Sequence, residues 1–282
     1  MGKPNIRPLA VQLPPLFTNE EVAFNQWLAG FIDGDGCFRV TKTYCRFQIE
    51  QATWNLHLLH LLKELFNGKL EKCKRYRNTH CYAFSDRKTL IKLAHMINGN
   101  VRCTSRSNQI QLVCQLFNID YVLPREITLN DAYLCGLLDA DGCITCNLKL
   151  RSMAIRVSSK YLEDVTFFPK ILNGNIYKSK DVFVWSITAK KDVLFAQKYF
   201  EKNCKSNKLS RIKLIHEFYE LRDSKAYQEG SEHHNKWLSF IEKWYSNGAD
   251  IYRKGCTGRP FREEARKAQE SREPEAVKAI AE

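Results

Sequence analysis

The sequence predicts an α+β protein of two pseudo-symmetric αββαββα halves, each a four-stranded antiparallel sheet backed by helices, joined at one helix from each half. Three observations carry this. The segment LAGFIDGDG at Leu28–Gly36 returns as LCGLLDADG at Leu134–Gly142, 106 residues later. Each copy is followed by apolar residues at strand spacing. The helix stop Asn67-Gly68 also returns 106 residues on, as Asn173-Gly174. A repeat of this size, present twice, is a duplication rather than a solenoid.

Taken in order, residues 1–17 read as an irregular arm and 18–116 as the first half. Thr18 and Glu21 form a capping box that opens a helix running to about Asp33. Phe38, Val40, Phe47 and Ile49 then alternate with Arg39, Thr41, Arg46, Gln48 and Glu50, a two-stranded ribbon with a core side and a basic side. Leu56, Leu59, Leu62 and Leu65 follow at helical spacing. Lys69–Arg77 and His80–Ser85 read as a second hairpin, and Arg87–Ile97 and Asn108–Leu116 as helices. Residues 117–127 form the linker, marked by Pro124.

The second half, 128–225, repeats the order. Thr128 is expected to cap its first helix, with Asp131 three residues on. Ile144, Cys146 and Leu148 face inward against Thr145, Asn147 and Lys149, and Ile155 and Val157 alternate with Arg156 and Ser158. Leu162–Leu172 reads as one helix, Ile176–Lys180 and Val182–Thr188 as a hairpin, and Lys191–Phe200 and Ser206–Leu221 as the last helices. Residues 226–282 are an extension without a counterpart, with one helix near Trp237–Tyr245 and a mobile, charged tail from Arg253.

The repeated segments carry the chemistry. Gly30 and Gly34, like Gly136 and Ala140, lie four apart on one helix face, where small residues let two helices approach closely. The expected partner of each face is the other copy. Asp33 and Asp35, and Asp139 and Asp141, sit at helix C-termini, where the dipole disfavours negative charge. Carboxylates placed so, twice, call for a cation. Mg²⁺ suits the position because it needs few carboxylates and fills its shell with water and phosphate oxygens.

Composition narrows the partner. Lys and Arg total 44 against 31 Asp and Glu in 282 residues, a net charge of +13 that favours a polyanion. No apolar run is long enough to cross a membrane, and the Leu9–Phe17 stretch, broken by Pro14 and Pro15, is not a signal peptide. Eleven cysteines without a secretory signal read as reduced thiols. Cys143-x-x-Cys146 has no second pair at zinc spacing, His57 and His60 share a solvated helix face with Glu64, and His233-His234 lies in a polar loop. A β-ribbon fits a DNA major groove, so Arg39, Arg46, Gln48, Arg75, Lys149 and Arg156 are the expected DNA contacts.

The doubled motif resembles the LAGLIDADG homing endonuclease family in its single-chain form, over about residues 18–225. The resemblance implies that the motif helices meet at the domain interface, and that the last acid of each copy and the preceding carbonyl bind catalytic metal. These are Asp35 and Asp141, with the carbonyls of Gly34 and Ala140. It also implies a polar residue after the second strand and a basic one before the last helix. Those fall on Gln51 and Arg102 (or Arg106) in the first half, and on Lys205 (Lys208 fits less well) in the second. The second glutamine position falls on Ser159 by strand alignment or Val157 by helix alignment, and neither is glutamine.

The expected function is site-specific double-strand DNA cleavage for intron homing. Mg²⁺ is the cofactor, double-stranded DNA the target, and one Asp per half cuts one strand each. The alternatives are an RNA-binding intron maturase on the same fold and a DNA-binding protein without catalysis. The intact Asp35 and Asp141 favour cleavage. Two halves in one chain predict a monomer, and family habit predicts a protein encoded and made in a chloroplast or mitochondrion.

Overall fold

The structure, a computed structural model, describes residues 18–73, 76 and 78–246. The arm, Arg75 and the charged tail lie outside the described residues.

The first half runs α1 (Asn19–Asp35), β1 (Gly36–Val40), β2 (Cys45–Ala52), α2 (Leu56–Phe66), β3 (Lys69–Lys72), β4 (Thr79–Phe84), α3 (Arg87–Ile97) and α4 (Thr104–Phe117). The second runs α5 (Tyr133–Asp141), β5 (Gly142–Asn147), β6 (Ser152–Ser159), α6 (Phe167–Leu172), β7 (Asn175–Ser179), β8 (Val182–Ile187), α7 (Lys190–Asn203) and α8 (Lys208–Asp223), with α9 (His234–Ser246) beyond it. Each half holds one antiparallel sheet with its second strand beside its fourth: β1-β2-β4-β3 and β5-β6-β8-β7.

The predicted alternation sets the two faces of each sheet. Phe38, Phe47, Ile49 and Tyr82 are buried on the helix side, while Arg39 and Arg46 pair across strands on the open side. Both Asn-Gly turns are locked by a buried aromatic. Tyr82 accepts from the Gly68 N–H at 2.9 Å, and the Trp185 indole donates to the Asn173 carbonyl at 2.8 Å. Asn67, at φ +46°, takes the left-handed conformation that ends α2.

α1 and α5 form the seam. A Cβ on Gly30 would lie 2.1 Å from the Tyr133 carbonyl oxygen, and one on Gly136 would lie 1.8 Å from that of Trp27. Only glycine permits this approach, so the small-residue faces are the interface.

Several elements differ from expectation, among them α4, which begins at Thr104 rather than Asn108. α1 runs on to Asp35, because its capping box at Thr18 forms and nothing before Gly36 stops it. α5 begins at Tyr133 rather than after Thr128, because the Asp131 carboxylate accepts from Thr128 and Arg125 and closes a turn instead. Leu162–Leu172 divides into a 3₁₀ turn at Glu163–Val165 and the short α6. β5 ends at Asn147, which places Lys149 in the hairpin turn. α9 covers the predicted Trp237–Tyr245 segment and stacks Trp237, Phe240 and Trp244 along one side.

Candidate metal and nucleic-acid site

The two aspartates of each motif have different surroundings. Asp33 and Asp139 turn back into the seam. Asp33 Oδ2 accepts from the Tyr133 hydroxyl at 2.5 Å and from the backbone N–H groups of Arg102 and Cys103 at 2.7 and 3.1 Å. Asp139 Oδ2 accepts from the Trp27 indole at 2.8 Å and the Lys205 N–H at 2.6 Å, and its Oδ1 from the Ser206 N–H and hydroxyl. Trp27 and Tyr133 are themselves 106 residues apart, so each motif helix clamps the inner acid of the other. Each inner acid also holds the segment that leads into the last helix of its own half, as an N-terminal anion should. Burial pushes Asp33 up to about 7 against those three hydrogen bonds, and its Oδ1 has no partner.

Asp35 and Asp141 lie at the mouth of the seam. They are close: a methyl group on Gly34 would meet the Ala140 Cβ at 2.3 Å and Asp141 Oδ2 at 3.0 Å. Burial first, and then the Asp141 charge, push Asp35 up to about 7. Asp141 is more exposed, yet the surrounding protein removes enough water to raise its pKa too. The Gln51 amide donates to Asp35 Oδ2, and Gln51 Oε1 accepts from Asn55 at 3.1 Å.

Two cations face this pair. Lys208 Nζ donates to the carbonyls of Leu138, Asp139 and Ala140, each at 2.8 Å, which puts a positive charge on the negative end of α5. Burial lowers its pKa, opposed by Asp139, Asp35 and Asp141. Arg106 donates to Gln109 Oε1 at 2.9 Å, and its charge stabilises the ionised forms of Asp33, Asp35 and Asp141.

The other predicted basic residues lie differently. The Arg102 guanidinium sits over the Tyr133 ring, 5.2 Å from its centroid, and Lys205 Nζ sits 5.5 Å from the Trp27 ring. Both contribute backbone N–H groups to the inner acids rather than a side chain to the mouth. Of the two bases considered for each half, Arg106 and Lys208 carry charge to the outer acids.

Strand register resolves the glutamine position. Gly36 pairs with Ile49 and Gly142 with Val157, so Gln51 corresponds to Ser159. The Ser159 hydroxyl donates to Asp164 Oδ2 at 2.9 Å instead of to the outer acid.

The donor set fits a divalent cation. Two carboxylates that repel each other, at two helix C-termini, with the Gly34 and Ala140 carbonyls one residue away, suit a hard ion that completes its shell with water and phosphate. Among the described residues no group of three or more His, Cys, Asp and Glu could hold a metal by itself. His57 Nε2 instead meets the Lys205 carbonyl at 2.8 Å, and no two of the described cysteines are joined in a disulfide.

The expected DNA contacts divide in three. Arg39 and Arg46 are exposed side by side on the first sheet, with Gln48 half-buried in the next pair along β2. Arg156 lies on the open face of the second sheet and donates to Thr145 at 3.2 Å, while Lys149 projects from the hairpin turn. Sequence reasoning missed the inner-acid clamps. The shared spacing of Trp27 and Tyr133 was the signal for them.

A sequence profile described as "LAGLIDADG endonuclease" matches residues 28–117. The chain is 36% identical over 252 residues to "Intron-encoded RNA maturase bI4" of Saccharomyces cerevisiae, covering 82% of this chain and 38% of that protein. It is 34% identical over 251 residues to "Probable intron-encoded endonuclease aI2" of Debaryomyces hansenii, covering 79% and 38%. It therefore spans well under half the length of these two relatives. The fold resembles that of the I-LtrWI LAGLIDADG homing endonuclease bound to target DNA, with a TM-score of 0.62 at 13% identity, over 81% of this chain and 98% of that one.

Proposed function

The chain belongs to the LAGLIDADG endonuclease family, and from that premise we propose that it is a site-specific double-strand DNA endonuclease of an organellar intron. One observation carries the reading: two outer carboxylates, one from each half, meet at the seam mouth with raised pKa values and two cations beside them. Mg²⁺ held by Asp35, Asp141 and the carbonyls of Gly34 and Ala140 would supply an activated water and stabilise the charge on the attacked phosphate.

The chain's own residues do the rest. Gln51 orients Asp35 through its amide. Lys208 and Arg106 lie where they can balance negative charge on a phosphate, and we assign them the basic roles of the second and first halves. Lys205 and Arg102 instead fix the loops that lead into α8 and α4 through their backbones. Arg39, Arg46 and Gln48 on one sheet, and Arg156 and Lys149 on the other, are the proposed base and phosphate contacts. Both half-sites lie in one chain, which supports action as a monomer.

The test is cleavage of the rejoined-exon DNA that flanks the reading frame. Cutting in Mg²⁺ with binding alone in Ca²⁺ is expected, and Asp35→Asn or Asp141→Asn should abolish double-strand cutting while binding stays near normal. Full cutting by either variant would sink the metal assignment.

A second reading is favoured by the description of the Saccharomyces relative as an RNA maturase. Tight binding of the intron RNA, with no cutting in Mg²⁺, would replace the endonuclease reading with that one.

A further inference from the structure

Beyond the outer acids, a buried polar bridge joins each half-site to the opposite half, and the two bridges differ. Asn55 is 6% exposed. Its Nδ2 donates to Gln51 Oε1 at 3.1 Å, and its Oδ1 accepts from the Asn207 N–H, at the start of α8 of the other half, at 3.1 Å. Asn207 returns the contact by donating its amide to the Trp54 carbonyl. The corresponding bridge uses Asp164, 5% exposed. Its Oδ1 accepts from the N–H and hydroxyl of Thr104, at the start of α4, at 2.9 and 2.8 Å, and its Oδ2 accepts from Ser159 at 2.9 Å.

The chemical difference decides what each bridge can do. The Asn55 amide has a donor and an acceptor, so it can hold the opposite helix and fix Gln51 at once. With Gln51 Oε1 engaged, its Nε2 is the end turned to Asp35. The Asp164 carboxylate only accepts, and the serine it holds is drawn away from the outer acid. Among the described residues, no side chain makes a hydrogen bond to Asp141.

We propose that Asn55 is a positioning residue that holds Gln51 against Asp35 in the first half only, so that the two strands of the target are cut by half-sites of unequal organisation. The unequal cutting rests on the endonuclease reading; the positioning of Gln51 does not.

Asn55→Asp is the test, because aspartate keeps the acceptor for the Asn207 N–H and removes the donor to Gln51. Strand-labelled target duplex reports each cut separately, and Asp35→Asn identifies the strand that depends on the first half. Asn55→Asp should slow that strand about 10- to 100-fold, the usual cost of losing a partner behind a metal-binding carboxylate. The other strand should stay within about twofold, with unchanged affinity in Ca²⁺.

Glutamine-selective ¹⁵N labelling gives a readout that needs no cutting. The Gln51 side-chain amide should exchange slowly in the wild type and fast in Asn55→Asp, at temperatures where the variant is fully folded. Equal slowing of both strands together with a lower melting temperature would make Asn55 a structural brace and overturn the proposal, as would an unchanged Gln51 amide. If the wild type cuts neither strand, the endonuclease reading fails and the unequal cutting with it, while the amide exchange still decides the positioning role.

Discussion

The seam and its mouth are built from the same nine-residue motif, yet they solve opposite problems. In the seam, Asp33 and Asp139 are buried and surrounded by donors that reach across from the other helix or down from the last helix of their own half. At the mouth, two residues further on, Asp35 and Asp141 crowd each other, and among the described residues only Asp35 has a side-chain donor, Gln51. In the seam each carboxylate is matched by donors, whereas at the mouth the two carboxylates face each other. Carboxylates kept where they repel are what the proposed cation site requires.

The largest expected effect breaks the seam. Gly136→Ala puts a methyl group 1.8 Å from the Trp27 carbonyl oxygen, and backbone cannot rotate away as a flexible side chain would. Separating the two helices should cost about 3 kcal/mol or more. Urea unfolding followed by tryptophan fluorescence should show the midpoint fall steeply, with every activity lost alongside it. A variant as stable as wild type would mean the helices are not in contact there.

The inner acids sharpen the comparison between the halves. Asp139 uses both oxygens, so Asp139→Asn turns an NH₂ group toward N–H or O–H donors and should cost about 3 kcal/mol. Asp33 takes all three of its donors on Oδ2 and leaves Oδ1 unpartnered. Asp33→Asn can keep its carbonyl on those donors, and should cost only about 1 kcal/mol. pH separates them further. Asp33 is raised to about 7 in the folded chain from a usual 3.8, so its contribution to stability is complete below about pH 4 and is lost as pH rises toward 7. Asp33→Asn should lose less stability than wild type over that window, measured by melts at several pH values. Equal costs at both sites would erase the difference between the two clamps.

How much of this was legible follows from what each signal encodes. The repeat and its alternating strands gave both sheets and the helix seam, because periodicity reports burial directly. Strand order was not legible, since alternation says which way a side chain faces and nothing about which strand lies beside it. Thr128 looked like a cap because threonine with an acid three residues on is a capping pattern, but Arg125 and Gln26 compete for Asp131 and hold it in a turn. The basic residues could be narrowed to Arg102 or Arg106 and to Lys205 or Lys208. Choosing between them needs the direction in which each side chain leaves a loop, which spacing does not carry. Asn55 and Asp164 were invisible for the same reason: their partners are in the opposite half.

A smaller effect tests the crossed clamps. Trp27→Phe can keep a ring against Phe31, which Trp27 stacks on at 5.1 Å between centroids, and removes the indole donor to Asp139 along with part of a buried ring. Tyr133→Phe removes the hydroxyl donor to Asp33. Each should cost about 1–2 kcal/mol in thermal or urea melts, with cutting preserved at temperatures where the fold holds. Loss of cutting at full stability would move these aromatics from the seam to the chemistry.

The smallest stability effect belongs to the mouth, and its sign separates a metal site from a salt-bridge site. Burial and the Asp141 charge both disfavour ionised Asp35, while Lys208, Gln51 and Arg106 favour it. If the pair exists to hold Lys208, Asp35→Asn should weaken the fold and divalent ions should change nothing. If it exists to hold a cation, Asp35→Asn should be at least as stable as wild type in metal-free buffer, because one of two repelling charges is gone. Mg²⁺ should then raise the wild-type melting temperature by a few degrees and leave the variant's unchanged, since only an ion that binds the folded state shifts the transition. Two melts of each protein, with and without Mg²⁺, distinguish the cases without any DNA.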